Sequence, residues 1–156
     1  DALAACRHFV LTDRTVTPSQ LLQALENNYR GYESLGTRLM ETGPKVGNND
    51  EAADEMLRRL YDLLADACEA YGRTPRGGIL RPGTGSAMYY IWLATGRQGM
   101  REPVVGATAD GRKSGTFFSA NLAPSPGVRI RGPISVLQSF SKIDYRRICN
   151  GGPITL

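Results

Sequence analysis

The sequence predicts a mixed α/β chain, and three observations predict it. Two amphipathic stripes between residues 17 and 71 read as helices. From Gly72 onward the composition changes, because 14 of the 18 glycines and 7 of the 9 prolines lie in residues 72 to 156, so regular elements there must be short. Between these turn formers the unbroken apolar run Ala87 to Ala94 (AMYYIWLA) has the form of a strand buried on both faces, as in a parallel or barrel sheet. Residues 1–71 are therefore expected to be mainly helical, and 72–156 to hold short strands, loops and one short helix.

Taken in order, Asp1 to Val10 reads as the end of a helix. Thr17-Pro18-Ser19-Gln20 is a capping box with Pro at the first helical position. Leu21, Leu22, Leu25, Tyr29, Tyr32, Leu35 and Leu39 follow on one stripe, which predicts a helix running to about Met40. Gly43-Pro44 stops it. Asn48 or Asn49 is expected to cap the next helix, with Asp50 and Glu51 complementing its dipole. Its stripe is Ala53, Met56, Leu57, Leu60, Leu64, Ala67, Cys68 and Tyr71, and Gly72 ends it. Ile154 to Leu156 is expected to begin a further strand.

The stretch from Gly106 to Lys142 is the most constrained. Asp110-Gly111 reads as a tight turn, Pro124 and Pro126 fix φ on either side of Ser125, and Gly127 can take φ > 0. Gly132-Pro133 opens a helix carrying Ile134, Leu137, Phe140 and Ser141 at helical spacing. So many fixed dihedrals brace a loop that positions something.

Composition excludes several classes. At 156 residues, 41% hydrophobic and 22% charged, the chain has ordinary globular usage. Its longest apolar run is too short to span a bilayer and no basic-then-apolar leader precedes it, so a cytoplasmic location and no membrane partner are expected. Cys6, Cys68 and Cys149 are widely spaced and odd in number, which suggests neither a disulfide framework nor a zinc site. Cys68, on an apolar stripe, is expected to be an inert core thiol. The net charge of +4 comes from residues 107–156, with seven Lys/Arg against two Asp/Glu. Those basic residues are interrupted by apolar runs without a nucleic-acid motif. No nucleic-acid partner is expected, and the basic face is expected to meet acidic neighbours in the intact protein.

The residues supply no catalytic constellation on their own. His8, the single histidine, lies beside Phe9 and Val10 and reads as a packing or surface residue. No Walker or Rossmann loop is present. An Asn-Asn-Asp cluster at 48–50 lacks the alternating oxygen ligands of a calcium loop. Asp110 is expected to brace its loop against Arg112.

Two blocks nevertheless carry a resemblance. Ala109-Asp110-Gly111-Arg112-Lys113-Ser114-Gly115, the Pro124-Ser125-Pro126-Gly127 loop and the helix from Gly132 to Lys142 resemble the glycyl radical enzymes, the superfamily of pyruvate formate-lyase and the radical diol dehydratases. Upstream, Gly43-Pro44-Lys45-Val46-Gly47-Asn48-Asn49-Asp50 resembles a second signature of that family. The resemblance covers essentially all 156 residues and implies an internal segment of a ten-stranded α/β barrel ringed by helices, within a pyruvate formate-lyase-like domain.

In function it implies radical C–C or C–O bond cleavage, or acyl transfer, on a small organic substrate, the class that includes formate acetyltransferase and other lyases of anaerobic metabolism. A catalytically inactive remnant or accessory domain that binds a partner is the alternative. In the family, an activating enzyme with an iron–sulfur cluster and S-adenosylmethionine creates an organic radical on a backbone glycine, which converts an internal cysteine to a thiyl. Neither motif occurs here, since the chain has no Arg-Val-x-Gly-Tyr and its three cysteines are in neither Gly-Cys-x-Glu nor Cys-Cys. No catalytic, cofactor-binding or metal residue is therefore assigned, and the segment alone is expected to be inactive and to bind no cofactor. The implied partners are a small-molecule substrate, the activating enzyme and a second copy of the full-length protein. Ala109 and Ala123 depart from the family's usual residues, and with Phe117 and Phe118 suggest a more apolar wall. The full-length enzyme is accordingly expected to be neither an efficient pyruvate formate-lyase nor a glycerol dehydratase.

Overall fold

The computed structural model describes residues 1–85, 106–116, 118–119, 121–149, 152 and 154. A short helix Ala2–Ala5 (α1) continues into a π-helical turn Cys6–Thr12. Helices Pro18–Glu26 (α2), Glu33–Thr42 (α3), Glu51–Tyr71 (α4) and Pro133–Phe140 (α5) follow, and a 3-10 turn spans Tyr145–Arg147. Among the described residues, pairing outside helices consists of two single bridges: antiparallel Arg73–Ile79 and parallel Leu122–Ile154. The expected strand at Ala87 to Ala94 falls outside the described residues, as does Phe117.

The helix expected from Thr17 to Met40 is two helices. Thr17 does cap the first, its Oγ1 accepting from the Gln20 amide at 3.1 Å. The chain then breaks at Asn28, Tyr29 and Gly31, whose φ values are +52°, +59° and +76°. Asn and Gly tolerate this left-handed backbone, whereas Tyr29 does not favour it. Tyr29 is held there because its ring is fully buried and its hydroxyl donates to the Thr108 carbonyl at 2.6 Å.

The expected Asn cap of α4 is also corrected. Asp50 caps it, accepting from the Ala52 amide at 3.0 Å. Asn48 instead bonds the strand of chain leading to α5, its Nδ2 donating to the Arg129 carbonyl and its Oδ1 accepting from the Arg131 amide. Long-range pairing outcompetes local capping here, because two backbone groups of the segment before α5 are satisfied by one side chain.

Two apolar clusters form the core. Phe9, Val16, Leu21, Ala24, Tyr29, Leu35, Leu39 and Ala109 pack the π-helical turn, α2 and α3 around the turn at Asp110. Val46, Ala53, Leu122, Val136, Phe140, Ile143 and Ile148 pack α4 against α5 and the segments beside it. α1 joins the clusters, placing Ala5 in the first and Ala4 in the second. The expected apolar face of α5 is rotated: Val136, Ser139 and Phe140 are buried, while Ile134 and Leu137 are 70% and 49% exposed. On α4 the stripe is covered at Ala53 and left open at Leu60, Leu64 and Tyr71, and Cys68 is half-buried rather than a core residue.

The basic excess of the last third finds acidic partners within this same chain. Lys142 Nζ lies 2.8 Å from Glu51 and 2.7 Å from Asp54. Arg147 reaches Asp62, Asp66 and Glu69 along one side of α4. These contacts lie at α4 and the segment after α5, so part of the basic face is already spent on structure. No helix among the described residues is long and apolar enough to cross a membrane.

Candidate functional site

The constrained loop predicted from Gly106 onward folds against the 44–50 block, and a cleft of about 180 Å³ opens between them. Lys45, Asp110, Arg112, Phe118 and Ser125 supply its chemistry, with Met40 and Val128 among the apolar walls.

Each polar residue is held by its own local geometry. Asp110 sits in a turn closed by the Gly111 amide on the Thr108 carbonyl at 3.1 Å, and the Thr108 hydroxyl donates to Asp110 Oδ1 at 2.5 Å. Gly111 has φ +93° and packs against α3, where an added Cβ would lie 2.8 Å from the Met40 nitrogen and closer still to the Gly36 carbonyl. Only glycine meets both demands.

The expected brace between Asp110 and Arg112 takes another form. Arg112 is 8% exposed, and its guanidinium donates to the carbonyls of Gly106, Lys113 and Thr116 and to the Thr108 hydroxyl. It also stacks over the Phe118 ring at 4.1 Å. A planar fork with five donors suits this role, since one side chain reaches three loop carbonyls at once. Burial draws the guanidinium below its usual pKa, and nearby Asp110 opposes that.

Lys45 is the cleft residue with the weakest sign in the sequence. It is 5% exposed, and its ammonium donates to the Leu39 carbonyl at the end of α3, 2.8 Å away. Burial pushes its pKa down, while Asp110 and Asp50 pull it back up. Its place between Pro44 and Val46 is the one local signal, and the polar Asn48-Asn49-Asp50 that follow mask it.

The two loops are also tied through Asp1. Asp1 accepts from the Val46 amide through Oδ1 at 2.9 Å and from the Ser125 hydroxyl through Oδ2 at 2.6 Å. The Ser125–Pro126–Gly127 turn closes with Val128 N on the Ser125 carbonyl, and Gly127 takes the expected positive φ, +81°.

The remaining titratable candidates do not gather at the cleft. His8 lies against Phe9 and 3.4 Å from Asp13. Cys6 is half-buried, its thiol pushed up by burial and by Asp110, and Cys149 is exposed. Among the described residues no group of three or more His, Cys, Asp or Glu is placed to hold a metal ion.

The chain is similar to several known proteins along nearly its whole length. It is 32% identical over 158 residues to the probable dehydratase YbiW of Escherichia coli K12, covering 97% of this chain and 18% of that protein. It is 34% identical over 139 residues to the isethionate sulfite-lyase of Bilophila wadsworthia, covering 89% of this chain and 16% of that one. Its structure matches the glycerol-bound B12-independent glycerol dehydratase from Clostridium butyricum with a TM-score of 0.84 and 29% identity, over 98% of this chain and 18% of the other. The chain thus spans less than a fifth of the length of these relatives. The pyruvate formate lyase-like family model matches residues 1–94, the stretch that ends in the apolar run after the 44–50 block. On that match and these relatives together, the chain belongs to the pyruvate formate lyase-like family of glycyl radical enzymes.

Proposed function

We propose that residues 1–156 are an internal part of a longer glycyl radical enzyme that eliminates a leaving group from a small organic substrate. The observation that carries this reading is the match over 97% of the chain to a probable dehydratase, joined by a sulfite-lyase and a glycerol dehydratase. All three are named for elimination rather than acyl transfer, so elimination is favoured over the formate acetyltransferase chemistry that the sequence also allows. The segment belongs to a ten-stranded α/β barrel of one pyruvate formate-lyase-like domain, and the 106–128 loop with Lys45 forms part of a substrate-facing wall. The radical starts the reaction from residues outside 1–156, after an activating enzyme has installed it. The protein's own task in this segment is to bind, orient and shield the substrate. The full-length protein acts as a cytoplasmic homodimer.

The test is anaerobic activation of the full-length protein, followed by assay with pyruvate plus coenzyme A, glycerol, and isethionate. A glycyl radical signal by electron paramagnetic resonance, with no acetyl-coenzyme A formed, is expected. Formation of acetyl-coenzyme A and formate at enzyme-like rates would overturn the elimination reading. Failure of the activating enzyme to produce any radical would favour the inactive-remnant alternative. Phe118 on the cleft wall and Ala123 in the neighbouring loop further lead us to expect little turnover of glycerol.

A further inference from the structure

We infer that Asn28 and Tyr29 are positioning residues for the cleft: from the bend between α2 and α3 they hold the 108–114 loop at both of its ends. The inference rests on the reading of that loop as part of a substrate-facing wall.

The bend carries the first sign. Among the described residues, Asn28 and Tyr29 are the one adjacent pair of non-glycine residues with positive φ, +52° and +59°. That backbone costs free energy in a residue with a Cβ, and such cost concentrates where the surroundings fix a functional geometry. Glycine at 28 would make the same bend without strain, and phenylalanine at 29 would fill the same buried space. What the native side chains add is their reach.

Both reach one loop. Asn28 Oδ1 accepts from the Ser114 amide at 2.7 Å, and the Tyr29 hydroxyl donates to the Thr108 carbonyl at 2.6 Å. Thr108 is the point of greatest leverage. Its amide donates to the Arg112 carbonyl at 2.9 Å, and its hydroxyl donates to Asp110 and accepts from Arg112 Nε. Thr108, Asp110 and Arg112 all line the cleft, so a displaced Thr108 carries the other two with it. The Tyr29 ring packs on Gly36 of α3, where an added Cβ would lie 3.0 Å from it, and Gly111 meets the carbonyl of that same Gly36. Bend and loop therefore share one footing on α3.

The hold is measured by hydrogen exchange with mass-spectrometric detection on the full-length protein before activation, so it stands or falls apart from the proposed reaction. Asn28→Gly relieves the bend and removes the tie to Ser114. Asn28→Asp keeps an oxygen acceptor in a residue that also tolerates positive φ, and Tyr29→Phe keeps the core filled while removing the tie to Thr108. In Asn28→Gly, exchange across residues 108–116 is expected to accelerate about 5-fold, the effect of one lost hydrogen bond, with α2 and α3 as protected as in wild type. Asn28→Asp should restore wild-type exchange. Tyr29→Phe should loosen the same loop to a similar degree. A bend that served only the helices would give another pattern, because glycine at 28 would leave the loop as it is. Unchanged exchange across 108–116 in Asn28→Gly or in Tyr29→Phe, no restoration in Asn28→Asp, or acceleration spread evenly through α2 and α3 each overturns the inference.

Discussion

The Ser139 hydroxyl lies 2.9 Å from the Asn49 amide and accepts its hydrogen bond, and the same oxygen accepts from the Gly47 amide at 3.0 Å. Ser139 is fully buried in α5, so a helix side chain supplies both acceptors for a loop more than 80 residues upstream. Ser139→Ala leaves two backbone donors without a partner, and is expected to cost about 2 kcal/mol. Hydrogen exchange at the Gly47 and Asn49 amides should accelerate together. Acceleration confined to α5 would contradict the clamp.

Gly111 and Gly127 separate two reasons for glycine. Both have positive φ, +93° and +81°, but only Gly111 has neighbours where a Cβ would go. Gly127→Ala should cost about 1 kcal/mol for the backbone conformation alone. Gly111→Ala should cost about 3 kcal/mol or more, because the obstacles are the α3 backbone and cannot rotate away. Thermal unfolding midpoints that fall equally for the two would refute the close approach.

Lys142 answers a carboxylate with no solvent access. Burial opposes its charge, but the bonds to Asp54 and Glu51 outweigh that and raise its pKa. Asp54 is 1% exposed and its Oδ1 has no hydrogen-bond partner among the described residues. Removing Lys142 therefore strands a buried charge, and Lys142→Met is expected to destabilise by about 3 kcal/mol. Asp54→Asn combined with Lys142→Met should recover a large part of it. Additive losses in the double-mutant cycle would show that the pair is uncoupled.

Tyr29 gives a pH signature. Its phenol is pushed up to about 12 by burial, with Asp110 adding to the effect. A pKa raised in the folded state contributes stability that is complete below the unfolded value, near 10, and is lost as pH rises toward 12. Stability should therefore decline between about pH 10 and 12, and Tyr29→Phe should flatten that decline. The variant should also lose about 1 kcal/mol at neutral pH with the Thr108 hydrogen bond. An unchanged alkaline limb in Tyr29→Phe, followed by circular dichroism, would remove Tyr29 as its source.

The parts legible in the sequence were those set by nearby residues. Thr17 as a cap, Gly72 at the end of α4, the Asp110-Gly111 turn and Pro133 at the start of α5 all act within four positions of chain. The break between α2 and α3 had a local sign too, in Asn27-Asn28 and Gly31, but the apolar stripe running through Tyr29 and Tyr32 masked it. What could not be read was pairing across the chain. Asn48 had the right chemistry for a cap, and nothing nearby showed that Arg129 and Arg131 would claim it. Lys45 reads as a surface lysine until the Leu39 carbonyl is placed beside it, and Arg112 reads as a partner for Asp110 until its loop closes around it. The cleft depends on such distant contacts, so its loop was legible and its buried lysine was not.

Because the cleft wall is fastened by single side chains rather than by a hydrogen-bonded ladder, its shape is separable from the helical core. Arg112 holds one loop, Ser139 another, and Asp1 joins the second to the Ser125 turn. Residues between these fasteners, such as Ser119 and Val128, line the cleft and belong to neither buried cluster. Such positions can therefore be exchanged while the frame stays intact, which leaves the polarity and shape of the cleft wall free to change without unfolding the helical core.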